Sequence, residues 1–112
     1  MTELNQKVAL ITGGAKGIGR AVALDLAAHG WAVAICYRTS VTEANELVKA
    51  VHAKSGRALA VQSDVSRSKA AEELVQHVRQ EWGRIDALIN SAGPYRRVVG
   101  QSRKSSATEE RR

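Results

Sequence analysis

Four glycines, Gly13, Gly14, Gly17 and Gly19, stand between an apolar run and a helix-period segment, and they constrain the fold more than anything else in this chain. Val8 to Ile11 is short and apolar, which predicts a buried strand. Ile18, Val22 and Leu26 stand four apart and predict a helix with those three on one face. A second apolar run, Ala32 to Cys36, follows Gly30. Strand, glycine turn, helix and strand make a βαβ unit. A chain bending this sharply needs a positive φ, which glycine takes without a Cβ clash. The first N–H groups of the helix lack intrahelical partners and carry the positive end of its dipole. A phosphate or pyrophosphate suits that position. The competing reading is a glycine-rich turn that binds nothing, and the flanking strand, helix and strand weigh against it.

Two phosphate motifs can be tested on the same residues. A P-loop needs Gly-x-x-x-x-Gly-Lys-Ser/Thr. Gly14 and Gly19 have the spacing, but Arg20-Ala21 follow, so the phosphate-reaching lysine and the magnesium-binding hydroxyl are missing. The Gly-x-Gly-x-x-Gly fingerprint is not matched either. What stands here is Thr12-Gly13-x-x-x-Gly17-Ile18-Gly19.

The rest of the chain alternates in the same way. Ser40-x-x-Glu43 predicts a capping box, with Ala44, Leu47, Val48 and Val51 as the buried stripe of a second helix. Ala58 to Gln62 reads as a third strand. Ser66 or Ser68 is placed to cap a third helix whose apolar face is Ala71, Leu74, Val75, Val78 and Trp82, stopped by Gly83 in the C′ position. Ile85 to Ile89 reads as a fourth strand, ending at Asn90-Ser91-Ala92-Gly93. Strands alternating with helices imply a parallel sheet. The expected fold is therefore α/β, a partial Rossmann fold with three helices and a four-stranded parallel sheet in the order 3-2-1-4. Right-handed crossovers place the first two helices on one face and the third on the other. Ligands bind where the winding reverses, at the carboxyl ends of strands one and four.

Residues 1–93 form the nucleotide-binding unit in this reading, and 94–112 a basic, disordered tail. The formal net charge of +6 sits mostly in that tail: residues 94–112 hold 6 Lys/Arg against 2 Asp/Glu, whereas residues 1–93 hold 11 against 9. A nucleic-acid partner is therefore not expected. No apolar stretch approaches the ~18 residues of a membrane span, and the amino terminus is no signal peptide. The single Cys36 excludes a disulfide framework and reads as a small core residue. His29, His52 and His77 read as solvated surface. These features fit a cytoplasmic protein.

Arg38 ends the second strand about twenty residues past the glycine loop, where an acidic residue would select NAD and an arginine accommodates a 2′-phosphate. Lys16 adds a second cation at that corner. Charge-assisted bonds contribute roughly 1.5–3 kcal/mol, so one such contact favours NADP over NAD by about tenfold. Asp64-Val65, ending strand three, suits an adenine amino group, and reads equally well as a turn before the Ser66 cap. Asn90 and the small residues after it suit a nicotinamide ribose, or a plain strand-to-loop turn.

Thr12–Gly19, Tyr37-Arg38, Ser63-Asp64-Val65 and Asn90-Ser91-Ala92-Gly93 together resemble the short-chain dehydrogenase/reductase family, most nearly its bacterial β-ketoacyl-acyl-carrier-protein reductases and pteridine reductases. The resemblance covers about residues 5–95. It implies an NADP-dependent oxidoreductase, with Gly13, Ala15, Lys16, Gly17, Ile18, Gly19, Arg38, Asp64, Val65, Asn90, Ala92 and Gly93 as cofactor-binding residues. Ser91 departs from the family, which has a second asparagine there. The family also uses a serine and a Tyr-x-x-x-Lys pair for catalysis, and forms homo-oligomers through later helices. The tyrosines here, Tyr37 and Tyr95, are followed four residues on by Val41 and Val99. Family members are more than twice this length, so a truncation or frameshift, marginal stability and cofactor binding without turnover are expected. A non-catalytic nucleotide- or partner-binding module is the alternative.

Overall fold

The computed structural model describes residues 5–91. Seven elements follow one another: β1 (Val8–Thr12), α1 (Gly17–Ala28), β2 (Ala32–Tyr37), α2 (Val41–Ala53), β3 (Ala58–Gln62), α3 (Ser68–Trp82) and β4 (Ala87–Asn90). All strand pairs are parallel, in the order β3-β2-β1-β4. This is the α/β topology that the alternation implies. The tail and the residues Ala92 and Gly93 lie outside the described residues.

The two sheet faces are covered as right-handed crossovers require. Ala9, Ile11, Val33 and Ile35 pack under α1 and α2, against Ala23, Ala44, Leu47 and Val51. Val8, Leu10, Ala32, Ala34 and Cys36 pack against Leu74, Val78 and Trp82 of α3. β1 and the run Ala32–Cys36 are buried throughout, because these central strands are enclosed on both faces. β3 and β4 lie at the edges and are only partly covered, and Leu88 on β4 is 58% exposed.

The sequence expectations fail at three places. Ile18 does not join Val22 and Leu26 on the buried face: it is 79% exposed, and the residues of α1 that bury fully are Gly19 and Ala23. The glycine turn brings the first turn of α1 close to the sheet, with the small Gly19 and Ala23 beneath it, and Ile18 at the helix start borders the open cleft. Neither expected serine cap forms. Ser40 and Arg67 hold the N-cap positions of α2 and α3 without a side-chain cap bond, and Ser66 turns back to Asp64 instead. The fourth strand starts at Ala87, not Ile85. Asp86 there takes the Val8 N–H with its carboxylate, Oδ2 at 2.8 Å, so a side chain replaces the ladder rung. Gly83 does end α3 in the left-handed region, with φ 80°.

Candidate functional site

β1 and β4 lie side by side at the point where the crossovers change direction, and their carboxyl ends open into a cleft of about 960 Å³. Its lining includes Gly13, Ala15, Lys16, Gly17 and Ile18 from the glycine loop, Arg38 after β2, Asp64 and Val65 after β3, and Asn90 at the end of β4. The fold thus collects residues from four separate stretches at one crevice. Gly19 is buried beneath the loop and does not line the cleft. Ala92 and Gly93 lie outside the described residues.

The glycines act in different ways. Gly13 and Gly17 have φ of 67° and 60°, values that a Cβ makes costly. Gly17 has open space where a side chain would project, whereas a methyl group on Gly19 would collide with the Gly13 carbonyl oxygen and the Ser91 hydroxyl. Gly14 packs on Ile35, whose Cγ2 would stand 2.5 Å from a Cβ there. Not every loop amide faces a ligand. Gly13 and Gly14 both donate to the Cys36 carbonyl of β2, at 3.0 and 3.3 Å, which pins the loop to the sheet. The helical ladder begins with Arg20 N–H to the Lys16 carbonyl at 3.2 Å. The N–H groups of Gly17, Ile18 and Gly19 precede that ladder, and Lys16 at the N-cap makes no side-chain cap bond. An anion at this end would meet amide donors, the helix dipole and the exposed Lys16.

The end of β2 brings a second cation to the cleft. Arg38 is exposed, with its carbonyl held by Gln62 Nε2 at 3.0 Å. Asp64 accepts from the Ser66 hydroxyl at 2.6 Å and the Ser66 N–H at 3.1 Å. Those two bonds, with Arg38 and Arg67 nearby, hold its carboxyl below the usual carboxylate range. Both hydrogen bonds end on Oδ1, so Asp64 serves its own turn while its carboxylate faces the cleft. Cys36 is 1% exposed at the cleft floor, and burial pushes its thiol pKa up, so it is a packing residue rather than a nucleophile.

At the junction of β1 and β4, the Thr12 hydroxyl donates to Asn90 Oδ1 at 2.7 Å, fixing the Asn90 amide with its oxygen toward β1. Thr12 and Asn90 are register partners across the parallel pair. Thr12, Thr39, Ser40, Ser63 and Ser91 also line the cleft, and of these sequence reasoning gave a cofactor contact to Ser91 alone, as one of the small residues after Asn90. Only the strand order, which puts residue 12 beside residue 90, would have found the first. Among the described residues no group of three His, Cys, Asp or Glu could hold a metal ion, and no helix is long and apolar enough to cross a membrane.

The comparisons with known proteins agree with this geometry. Residues 7–111 match the family model described as short chain dehydrogenase, beyond residue 95 where the stretch carrying the resemblance above ends. A 3-oxoacyl-[acyl-carrier-protein] reductase of Synechocystis is 42% identical over 93 residues, covering 83% of this chain and 38% of that protein. The Bacillus subtilis short-chain dehydrogenase/reductase homolog YusS is 39% identical over 98 residues, covering 88% of this chain and 89% of YusS. A short chain dehydrogenase of Burkholderia cenocepacia, solved in complex with NADP, superposes with a TM-score of 0.77 at 42% identity, covering 80% of this chain and 37% of that one. The chain thus spans about two fifths of the Synechocystis reductase and the Burkholderia enzyme, and most of YusS.

Proposed function

The chain belongs to the short chain dehydrogenase family, and from that premise we propose that its cleft binds NADP(H) in preference to NAD(H), as the cofactor-holding part of an oxidoreductase. NADP(H) carries the hydride of such a reaction, and the protein supplies binding and orientation. The observation that carries the reading is the meeting, at one crevice, of an α1 N-terminus with unladdered amides and two exposed cations, Lys16 and Arg38.

In this reading Gly17 and Ile18 offer amide donors to the diphosphate, Gly19 lets α1 pack close beneath them, and Gly13 supplies the turn that aims them. Ala15 contributes backbone to the loop, and its buried side chain anchors it. Lys16 and Arg38 meet the 2′-phosphate. Asp64 accepts from the adenine amino group and the Val65 amide donates beside it. Asn90, held by Thr12, faces the nicotinamide ribose, with Ala92 and Gly93 following. No serine and Tyr-x-x-x-Lys pair of the family pattern is available to move a proton, so this chain alone binds without turnover. In a longer relative of this kind the hydride would pass between the cofactor and a carbonyl or imine carbon.

The test is calorimetric titration of the full chain with NADPH and NADH. Saturable NADPH binding, about tenfold tighter than NADH, is the expected result. A folded sample giving no heat with either nucleotide ends the proposal. Carbonyl-dependent NADPH oxidation by the pure chain would overturn the absence of turnover.

A further inference from the structure

Sequence reasoning gives Ser91 a part only as a small residue after Asn90, yet its hydroxyl lies where three elements meet. It donates to the Thr12 carbonyl at the end of β1, at 2.7 Å, and stands 3.5 Å from the Gly13 carbonyl. Its own N–H also reaches the Thr12 carbonyl, at 3.1 Å. The first turn of α1 closes over the same point: Gly19 is so close that any Cβ there would strike the Ser91 hydroxyl and the Gly13 oxygen together.

The arrangement has a physical consequence. Gly13 sits at φ 67°, and its N–H is tied to the Cys36 carbonyl on the β2 side of the loop. Ser91 is the contact on the β4 side. The loop is therefore held from both flanks, by a backbone carbonyl on one and by a side-chain hydroxyl on the other. The first kind of hold survives any substitution of Cys36, whereas the second depends on which residue follows Asn90. Without the hydroxyl, the Gly13 carbonyl alone remains beneath Gly19, and the first turn of α1 loses one of the two groups it packs on there.

We propose that Ser91 is a positioning residue for the phosphate-binding turn: its hydroxyl, lodged between the Thr12 and Gly13 carbonyls and Gly19, fixes where the N-terminus of α1 presents its amides to a dinucleotide's diphosphate. The proposal rests on the nucleotide reading of the cleft. Ser91 lines that cleft as well, but its hydroxyl donates to the Thr12 carbonyl where β1 passes into the loop, with the Gly13 carbonyl 3.5 Å away, so its effect on the ligand passes through the glycine turn.

The test compares Ser91→Ala with the unmodified full chain, using NADPH and adenosine 2′-monophosphate as probes. The second probe has the 2′-phosphate and adenine but no diphosphate. The expected result is NADPH affinity lowered roughly two- to tenfold, the size of one lost hydrogen bond, with adenosine 2′-monophosphate affinity unchanged. An unchanged NADPH affinity overturns the proposal. So does an equal loss for both probes, which would mark a general loosening of the fold rather than a positioned turn. Circular dichroism of the nucleotide-free chain accompanies the titrations: a variant that is unfolded before nucleotide is added assigns Ser91 to folding and likewise overturns the proposal. Failure of the unmodified chain to bind NADPH counts against the nucleotide reading, not against the role of Ser91 within it.

Discussion

At the amino ends of β1 and β4, Val8 and Asp86 exchange two bonds. Asp86 N–H donates to the Val8 carbonyl at 2.7 Å, and Val8 N–H to the Asp86 carboxylate at 2.8 Å. Arg84 closes the same carboxylate with two contacts of 2.8 Å. Nearby, Ala32 N–H reaches the Lys7 carbonyl at 2.9 Å, and Lys7 lies 5.8 Å from the Trp31 ring centre. At the carboxyl ends of the same two strands the bonds hold a loop in place instead of closing it: Thr12 to Asn90, and Ser91 to Thr12. Beyond them the first amides of α1 precede any ladder. One strand pair is thus tied off at one end and keeps its donors for a ligand at the other. On the proposed nucleotide reading, stability and binding would be separable along a single pair of strands.

Substitutions at the two ends test that separation. Gly19→Ala has the largest expected effect, because its methyl meets the Gly13 carbonyl, and backbone yields less easily than a side chain. Overpacking of this kind costs about 1–3 kcal/mol, so NADPH affinity should fall up to roughly a hundredfold in titration. Arg38→Asp should weaken NADPH relative to NADH by about tenfold or more, from a lost charge-assisted bond and added repulsion, and should leave the melting temperature close to the parent's. An unchanged preference removes Arg38 from the site. Leu88→Lys, on the exposed edge strand β4, should lower concentration-dependent self-association seen by sizing or light scattering. Equal association in both chains would show that this edge is not the sticky surface.

The smallest effect belongs to the closed end. The Arg84 side chain, then the Val8 N–H, lower the Asp86 carboxyl to about 2. A carboxylate with a depressed folded pKa contributes stability above its unfolded pKa, and that contribution is lost as pH falls through the folded value. Asp86→Asn should therefore melt below the parent at neutral pH, with the gap shrinking from about pH 4 down to about pH 2. NADPH affinity at neutral pH should be unaltered. A binding defect in Asp86→Asn, or a gap indifferent to acid, would show the two ends to be coupled.

The two faces of the sheet differ as well. The α1–α2 side buries Ala9, Ile11, Val33 and Ile35 completely. On the α3 side, Leu59 and Val61 are half-buried and Leu88 is exposed, with Leu10, Val75 and Ile85 around a smaller groove beside it. Among the described residues α3 is the one helix on this face, where it leaves Leu88 exposed, and parallel sheets are stable when both faces are buried. Marginal stability of this chain follows as an expectation, to be checked by the sharpness of its unfolding transition at low concentration.

The sequence alone determined the order of elements, the parallel sheet and the location of the crevice. Glycine spacing and apolar periodicity are local signals, and crossover handedness leaves few topologies once they are read. It also picked out nine of the residues that line the cleft, since strand ends and the loop after β1 fall at recognisable breaks. Tertiary structure alone decided three things. Ile18 borders the open cleft instead of joining the core, because α1 packs on the sheet through Gly19 and Ala23. Asp86 shortens β4 because its carboxylate reaches a strand 78 residues away. Thr12, Ser91 and Gly13 become neighbours through register across β1 and β4. Each depends on distances between segments remote in sequence, which no local pattern of residues encodes.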